Sequence, residues 1–250
     1  MNTELFELAC QAAILVPPKN SVGTLSEHRL HSAIKYYVQP DMEFHEVRVN
    51  GFICDAVRED GEVLEIQTGS FYPLRRKLEK LLPSHPVTVI YPVVTEKRLL
   101  VTYEESGECS IRKSPKKATI YNAFAELYRI RDFLSSENFH FRIISVTCDD
   151  HRLYLGTKEA KKPFQKPVKT ERIPVSLVGD VSFRSMKELR SVLPSDLPEN
   201  FDSKILSDMA KIPADLARIT LRVITELGIT EQVCVVNKRK VYRFCDENRE

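Results

Sequence analysis

The feature that most constrains the fold is the near-continuous apolar run PVTVIYPVV at residues 86–94. A strand that is apolar on both faces must be covered on both, as a central strand of a sheet flanked by helices is. Helical patterns precede this run in TLSEHRLHSAIKYYVQP and at residues 71–82. Three strand-like segments lie between them, at residues 44–49, 52–58 and 62–67. The order α-β-β-β-α-β predicts an α/β fold.

The composition is that of an ordinary soluble globular protein and does not indicate a function. The chain has 250 residues, of which 42% are hydrophobic, and a net charge of only +2, so a basic surface must come from local clustering. Its six cysteines form no CxxC pair, which argues against a zinc module and a disulfide framework. The N-terminal segment carries acids where a signal peptide is basic, and its apolar run is too short to span a bilayer. We expect a cytoplasmic protein with no membrane partner.

The domain organisation follows from a basic stretch late in the chain. Residues 157–172 hold six basic and two acidic side chains and no core pattern. We therefore predict an α/β domain at 1–156, a basic linker at 157–180 and a second domain at 181–250. This last part shows three helical segments and then two strands around a basic tip, the plan of a winged helix-turn-helix. The Asp149-Asp150-His151 triplet is predicted to be a turn.

Residues 52–67 are predicted to form a hairpin that carries two acids. If Glu59-Asp60-Gly61 is a three-residue loop with Gly61 in the left-handed conformation, Val57 faces Val63 and Asp55 faces Glu65. Strand alternation places Ile53 and Gln67 on the face of the two acids. The opposite face is then entirely apolar and suited to the core, with Phe52, Cys54, Ala56, Leu64 and Ile66.

Paired carboxylates on one sheet face call for a cation. Two carboxylates about 5 Å apart resist joint ionisation unless a cation lies between them. Mg²⁺ is the natural candidate, with Mn²⁺ as its substitute, because one or two carboxylates hold it and its other positions take water or phosphate oxygens. Alternatively, Asp55 and Glu65 are solvated strand residues on an exposed face.

These residues resemble the PD-(D/E)XK nuclease superfamily, in which a helical Glu, a strand Asp and a Glu-x-Lys form a metal site on an α-β-β-β-α-β core. Glu27, Asp55 and Glu65-Ile66-Gln67 match those positions over roughly residues 20 to 95. The resemblance implies a restriction-endonuclease-like mixed sheet flanked by helices, metal ligation by Asp55, Glu65 and the Ile66 carbonyl, and an assisting role for Glu27. Gln67 stands where the family has Lys, and Lys77 supplies the missing cation only if its side chain reaches back over the site.

The C-terminal part has features expected of a DNA-binding domain. On the helix led by Pro213, Arg218 and Arg222 lie one turn apart, away from the apolar face. Lys238, Arg239 and Lys240 form the basic tip, where phosphate contacts are expected beside a helix in the major groove. Alternatively, this is a charged face of a protein-interaction winged helix. The whole chain also resembles an uncharacterised bacterial family that joins a nuclease-like core to a winged helix, most strongly in LPSDLPENFDSKILSDMAKIPADLARITLRVITELG.

The leading hypothesis is a Mg²⁺-dependent DNA endonuclease, with Glu27, Asp55, Glu65, Gln67 and Lys77 in the catalytic site. DNA is the expected partner, and a homodimer is a possible assembly. The alternative is a DNA-binding or regulatory protein whose nuclease-like domain has lost its chemistry, which the glutamine at position 67 makes credible. A third hypothesis is a protein-interaction adaptor.

Overall fold

A computed structural model describes residues 2–15, 25–155 and 167–245, with side chains from Arg29 onward in the second segment. Two helices come first, α1 (Thr3–Leu15) and α2 (Leu25–Val38). Then come β1 (His45–Val49), β2 (Phe52–Val57), β3 (Val63–Ile66), α3 (Arg75–Leu81) and β4 (Val87–Tyr103). The predicted order α-β-β-β-α-β is confirmed.

The rest of the chain adds strands to this sheet and then a mainly helical part. In order these elements are β5 (Cys109–Lys113), α4 (Asn122–Leu127), a 3-10 helix (Tyr128–Phe133), β6 (Phe139–Tyr154) and β7 (Val168–Phe183). A 3-10 helix (Met186–Val192), β8 (Phe201–Asp202), α5 (Ser203–Ala210), α6 (Ala214–Glu226), β9 (Thr230–Val236) and β10 (Arg239–Phe244) follow. The described helices include none long and apolar enough to cross a membrane.

The large sheet is mixed and covered on both faces. Its strand order is β1-β2-β3-β4-β6-β7, with β5 paired to β4, and β3, β4 and β6 run parallel to one another. Successive residues of β4 point to opposite sides: Ile90 packs with α1 and α2, whereas Val89 packs with α3 and α4. The mixed α/β fold expected from the apolar run is therefore confirmed.

Strands β4 and β6 continue well past the end of β3. We call this extension the arm, comprising residues 96–113, 147–155 and 168–176. The sequence predicts a separate hairpin in RLLVTYEESGECSIRK, which the pairing of β4 with β5 confirms, and a strand that ends at Val146. It does not predict that single strands continue from Val87 to Tyr103 and from Phe139 to Tyr154. The prediction of a turn at Asp149-Asp150-His151 was wrong, since the triplet pairs with β4 on one side and β7 on the other. Asp150 tolerates this position because basic side chains surround it.

The predicted basic linker is largely a strand. Residues 168–183 pair antiparallel with β6, from Leu153 opposite Val168 to Phe141 opposite Phe183. The lysine-rich composition concealed this, because only Pro174, Leu177 and Phe183 of the strand are buried and they do not alternate regularly with exposed residues. Residues 157–166 of the predicted linker lie outside the described residues.

The C-terminal part contains the predicted helices and hairpin. Ser185 and Glu188 form the expected capping box, and Asp202 caps α5. β9 and β10 join at Asn237-Lys238, where both residues have positive φ. One continuous buried cluster contains Ile224 of α6, Phe124 of α4 and Phe141 of the large sheet, so this part packs directly on the sheet domain.

Candidate metal site and basic cleft

The acidic hairpin has the predicted register. Val57 pairs with Val63 as predicted, and Ala56 pairs with Leu64 in the same register. Gly61 has φ +87°, and its amide donates to the Arg58 carbonyl at 2.9 Å, which closes the three-residue loop. The left-handed conformation explains why glycine occupies this position.

Regular pairing of β2 with β3 ends just before the two acids, so the predicted cross-strand pair of Asp55 with Glu65 does not form. The Asp55 carboxylate accepts a hydrogen bond from the Ile66 amide at 2.8 Å. The predicted apolar face is correct for Ala56, Leu64 and Ile66, which pack beneath α1 and α2. It is wrong for Cys54, which belongs to the cluster on the α3 side. Strict alternation along β2 is therefore lost at Asp55.

Asp55 faces helix α2. The Nε2 atom of His31 lies 3.3 Å from the Asp55 carboxylate. Burial opposes ionisation of this carboxyl, but the hydrogen bond and charge of His31, together with the Ile66 amide, lower its pKa below the ordinary value. Asp55 therefore carries its negative charge at neutral pH.

Glu65 is buried against α3. Its side chain is only 2% exposed, and the ammonium group of Lys77 lies 2.8 and 2.9 Å from its two oxygens. The same ammonium donates to the Ile53 carbonyl at 2.8 Å. Lys77 therefore reaches back from the next helix to the site, which is the condition under which it could replace the lysine absent at position 67.

Electrostatics differ sharply between the two acids. Burial and the negative charge of Asp55 raise the pKa of Glu65 to about 7, although Lys77 acts in the opposite direction. The thiol of Cys54 donates to Glu65, and burial followed by the Glu65 charge raises the pKa of that thiol to about 12. The pair thus resists joint ionisation, as expected for two carboxylates short of positive charge.

The remaining predicted residues are only partly placed. Glu27 lies on α2 four residues before His31, but its side chain is outside the described residues. Gln67 donates its backbone amide to the Ile90 carbonyl at 2.9 Å. Among the described residues, no three His, Cys, Asp or Glu side chains form a metal-ligating group. Two carboxylates nevertheless suffice for Mg²⁺, whose other positions take water or phosphate oxygens.

The five predicted DNA-contacting residues of the C-terminal part line a single cleft. Its volume is about 690 Å³, and its wall includes Arg218, Arg222, Lys238, Arg239 and Lys240. Arg218 pairs with Asp215, and Arg222 lies 3.5 Å from Glu226. Both arginine side chains remain more than 60% exposed. Arg222 also stacks on Tyr128 at 4.6 Å, which ties α6 to the sheet domain.

Sequence reasoning missed two contacts of the polar interior. His31 lies on α2, and the residues around it in the sequence gave no sign that Asp55 is its partner. Asp150 was expected in a turn, although it is 1% exposed and bonded to Arg172. Both contacts join segments distant in sequence, so local pattern alone gave no signal for them.

Comparison with known proteins places the chain in a family. Residues 28–184 match the model described as "Domain of unknown function (DUF8091)". The chain is also 30% identical over 224 residues to an uncharacterized protein of Treponema pallidum (strain Nichols), covering 89% of this chain and 87% of that protein. No solved structure matches the chain. The family match includes the whole of β7 and spans more than half of the sequence, so the chain belongs to the DUF8091 family.

Proposed function

We propose that the protein is a Mg²⁺-dependent DNA endonuclease of the PD-(D/E)XK type with a winged-helix DNA-binding part. The observation that carries this proposal is the reach of Lys77 to Glu65 and to the Ile53 carbonyl. It places on Glu65 a basic side chain whose charge also acts on Asp55, within an α-β-β-β-α-β framework. This arrangement supports an Asp, Glu and Lys set despite Gln67.

The donor set suits a hard divalent ion. Asp55 and Glu65 would hold Mg²⁺, with the Ile66 carbonyl as a further ligand, because carboxylate and carbonyl oxygens are its preferred protein ligands. Burial, and after it the negative charge of Asp55, raises the pKa of Glu65, and a bound cation would oppose both effects. When bound, the ion would polarise a phosphodiester and activate water.

The side chains around the acids have separable roles in this proposal. Lys77 would stabilise negative charge on the phosphate, and Gln67 would orient water or a phosphate oxygen. Glu27 would assist from α2. The cleft lined by Arg218 and Arg222 would hold the DNA backbone, since the acidic site cannot hold a polyanion by itself.

A second candidate is a DNA-binding regulator without catalysis. This candidate is favoured by the ion pair of Lys77 with Glu65. Both oxygens of a proposed metal ligand already accept hydrogen bonds from a side chain of the protein.

Metal-dependent thermal stabilisation tests the proposal against this alternative. A live site predicts that Mn²⁺ raises the melting temperature of the wild type by mass action and has no such effect on Asp55→Ala. Asp132→Ala is the control, because it removes an exposed carboxylate that pairs with Arg75 away from the site. Equal shifts in all three proteins, or none in folded wild type, would contradict a metal site at Asp55.

A further inference from the structure

Asp150, a buried acid on the arm, has three basic side chains around it and can neutralise the charge of only one. Arg172 donates to both oxygens of Asp150, at 2.6 and 3.1 Å. Lys97 and Arg152 also approach this carboxylate, at 3.9 and 3.7 Å. Asp150 is 1% exposed, so it organises three cations from inside the fold.

Asp150 does not fully neutralise Lys97 and Arg152, and Arg152 has a hydrogen-bond donor without an acceptor among the described residues. Burial lowers the pKa of Lys97, and the nearby arginines add to this effect while Asp150 opposes it. The Nε atom of Arg152 is buried and has no hydrogen-bond partner within the described part of the chain. A buried donor of this kind is costly unless a ligand or water satisfies it.

Neighbouring acids on the arm are already paired. Glu96 contacts Lys113 at 2.7 Å and Lys117 at 3.3 Å. Asp149 takes two hydrogen bonds from Arg98, at 2.7 and 2.5 Å. These carboxylates therefore do not offset the charge of Lys97 and Arg152.

Another exposed cation lies on the same side of the arm. Arg112 is opposite Leu99, which is itself opposite Asp150, so paired positions place all three on one face. The Arg112 side chain is exposed, and that of Lys97 is 20% exposed. The buried cluster thus continues into an accessible basic surface.

The arm begins at the end of the sheet that carries the candidate metal site. β3 ends at Ile66 opposite Ile90, whereas β4 runs on from Ile90 into the arm. Helix α2 contacts both places, since His31 faces Asp55 and Arg29 pairs with Glu171 of β7. Helix α2 therefore links the arm to the candidate site.

The geometry points to a second DNA-binding surface on the arm, in which Lys97, Arg152 and Arg112 hold backbone phosphates on strands that continue from the sheet of the Asp55–Glu65 site. Lysine and arginine donate charge-assisted hydrogen bonds to phosphate oxygens, and Asp150 keeps two of these cations in position. This inference rests on the proposed function and adds a contact surface separate from the C-terminal cleft.

Salt-dependent DNA binding tests the surface. Anisotropy of a labelled duplex is measured over a range of salt concentrations with wild type, Lys97→Ala/Arg152→Ala and the control Arg98→Ala. The control removes a cation from the neighbouring position, on the other face, that is already paired with Asp149. The double variant is expected to lose about 0.9 units of log-log slope for each lost phosphate contact, whereas the control keeps the wild-type slope.

A second variant tests the same surface without changing the buried cluster around Asp150. Lys116 is a further exposed cation whose charge acts on Lys97. Arg112→Ala/Lys116→Ala removes two exposed cations and should also weaken DNA binding and flatten its salt dependence. Unchanged slopes in both folded arm variants would overturn the inference. If Arg218→Ala/Arg222→Ala loses affinity in that case, the proposed function survives without the arm. Failure of wild type to bind any duplex would overturn both.

Discussion

At the scale of single residues, the protonation of the two acids at the site depends on the few basic side chains that contact them. Asp55 is held ionised by His31 and the Ile66 amide, whereas Glu65 depends on Lys77 within a buried environment. The acids are therefore unequal, and each has a distinct experimental signature.

Removing Lys77 should lower the free energy of unfolding, because Glu65 is then buried without its cationic partner. Lys77→Met leaves a carboxylate that is 2% exposed without its ammonium partner. Breaking a buried pair in this way typically costs about 3–5 kcal/mol of unfolding free energy. Urea denaturation above neutral pH measures the loss, which should shrink at low pH as Glu65 becomes protonated. Lys113→Met, which breaks an exposed pair with Glu96, is the control and should cost far less.

Metal binding should depend on pH through Glu65. Its pKa is raised to about 7, so below that pH a proton competes with the metal, and above it the carboxylate is free to bind. The wild-type affinity for Mn²⁺ should rise about fivefold from pH 6 to pH 7, reach about ten times its pH 6 value at pH 8, and level off above that. Asp55, whose pKa is lowered, contributes no change over this range. Calorimetric titration measures the affinities, and a profile that stays unchanged in Glu65→Gln would contradict this assignment.

At the scale of elements, β7 changes the organisation predicted from the sequence. A strand over residues 168–183 should protect alternate backbone amides that bond to β6, whereas a linker would leave them exposed. Hydrogen exchange should therefore be slow in peptides covering 170–182. Peptides from residues 194–200, which lie between the 3-10 helix and β8, provide a rapidly exchanging comparison. Exchange of the β7 peptides at the rate of unstructured chain would contradict the strand.

The elements show where sequence reasoning succeeds. The Gly61 loop sets the register of β2 and β3 through local geometry, and the helix starts at Ser185 and Asp202 follow from local capping residues. The arm was not predictable in this way. Asp150 can occupy a strand only because Arg172 and Lys97 reach it from other strands, and Cys54 leaves the expected face where pairing ends.

At the scale of the whole molecule, the two proposed activities share one folded unit. The C-terminal part does not follow a free basic linker, because its buried residues Leu221 and Ile224 join the cluster beneath the large sheet. Glu226 also lies 3.7 Å from Arg131 of the sheet domain. The basic cleft therefore has a fixed relation to the candidate metal site, which suits an enzyme that holds and cleaves one DNA molecule.

The most direct test of the central claim is cleavage of supercoiled DNA in the presence of Mg²⁺ or Mn²⁺. The proposed function predicts conversion to nicked or linear DNA by wild type, with rates lower by about a hundredfold or more in Asp55→Ala and Glu65→Gln, since each variant removes a proposed metal ligand. Asp132→Ala should cleave at the wild-type rate. Absence of cleavage by folded wild type, or equal cleavage by Asp55→Ala, would contradict a metal-dependent nuclease site at these residues.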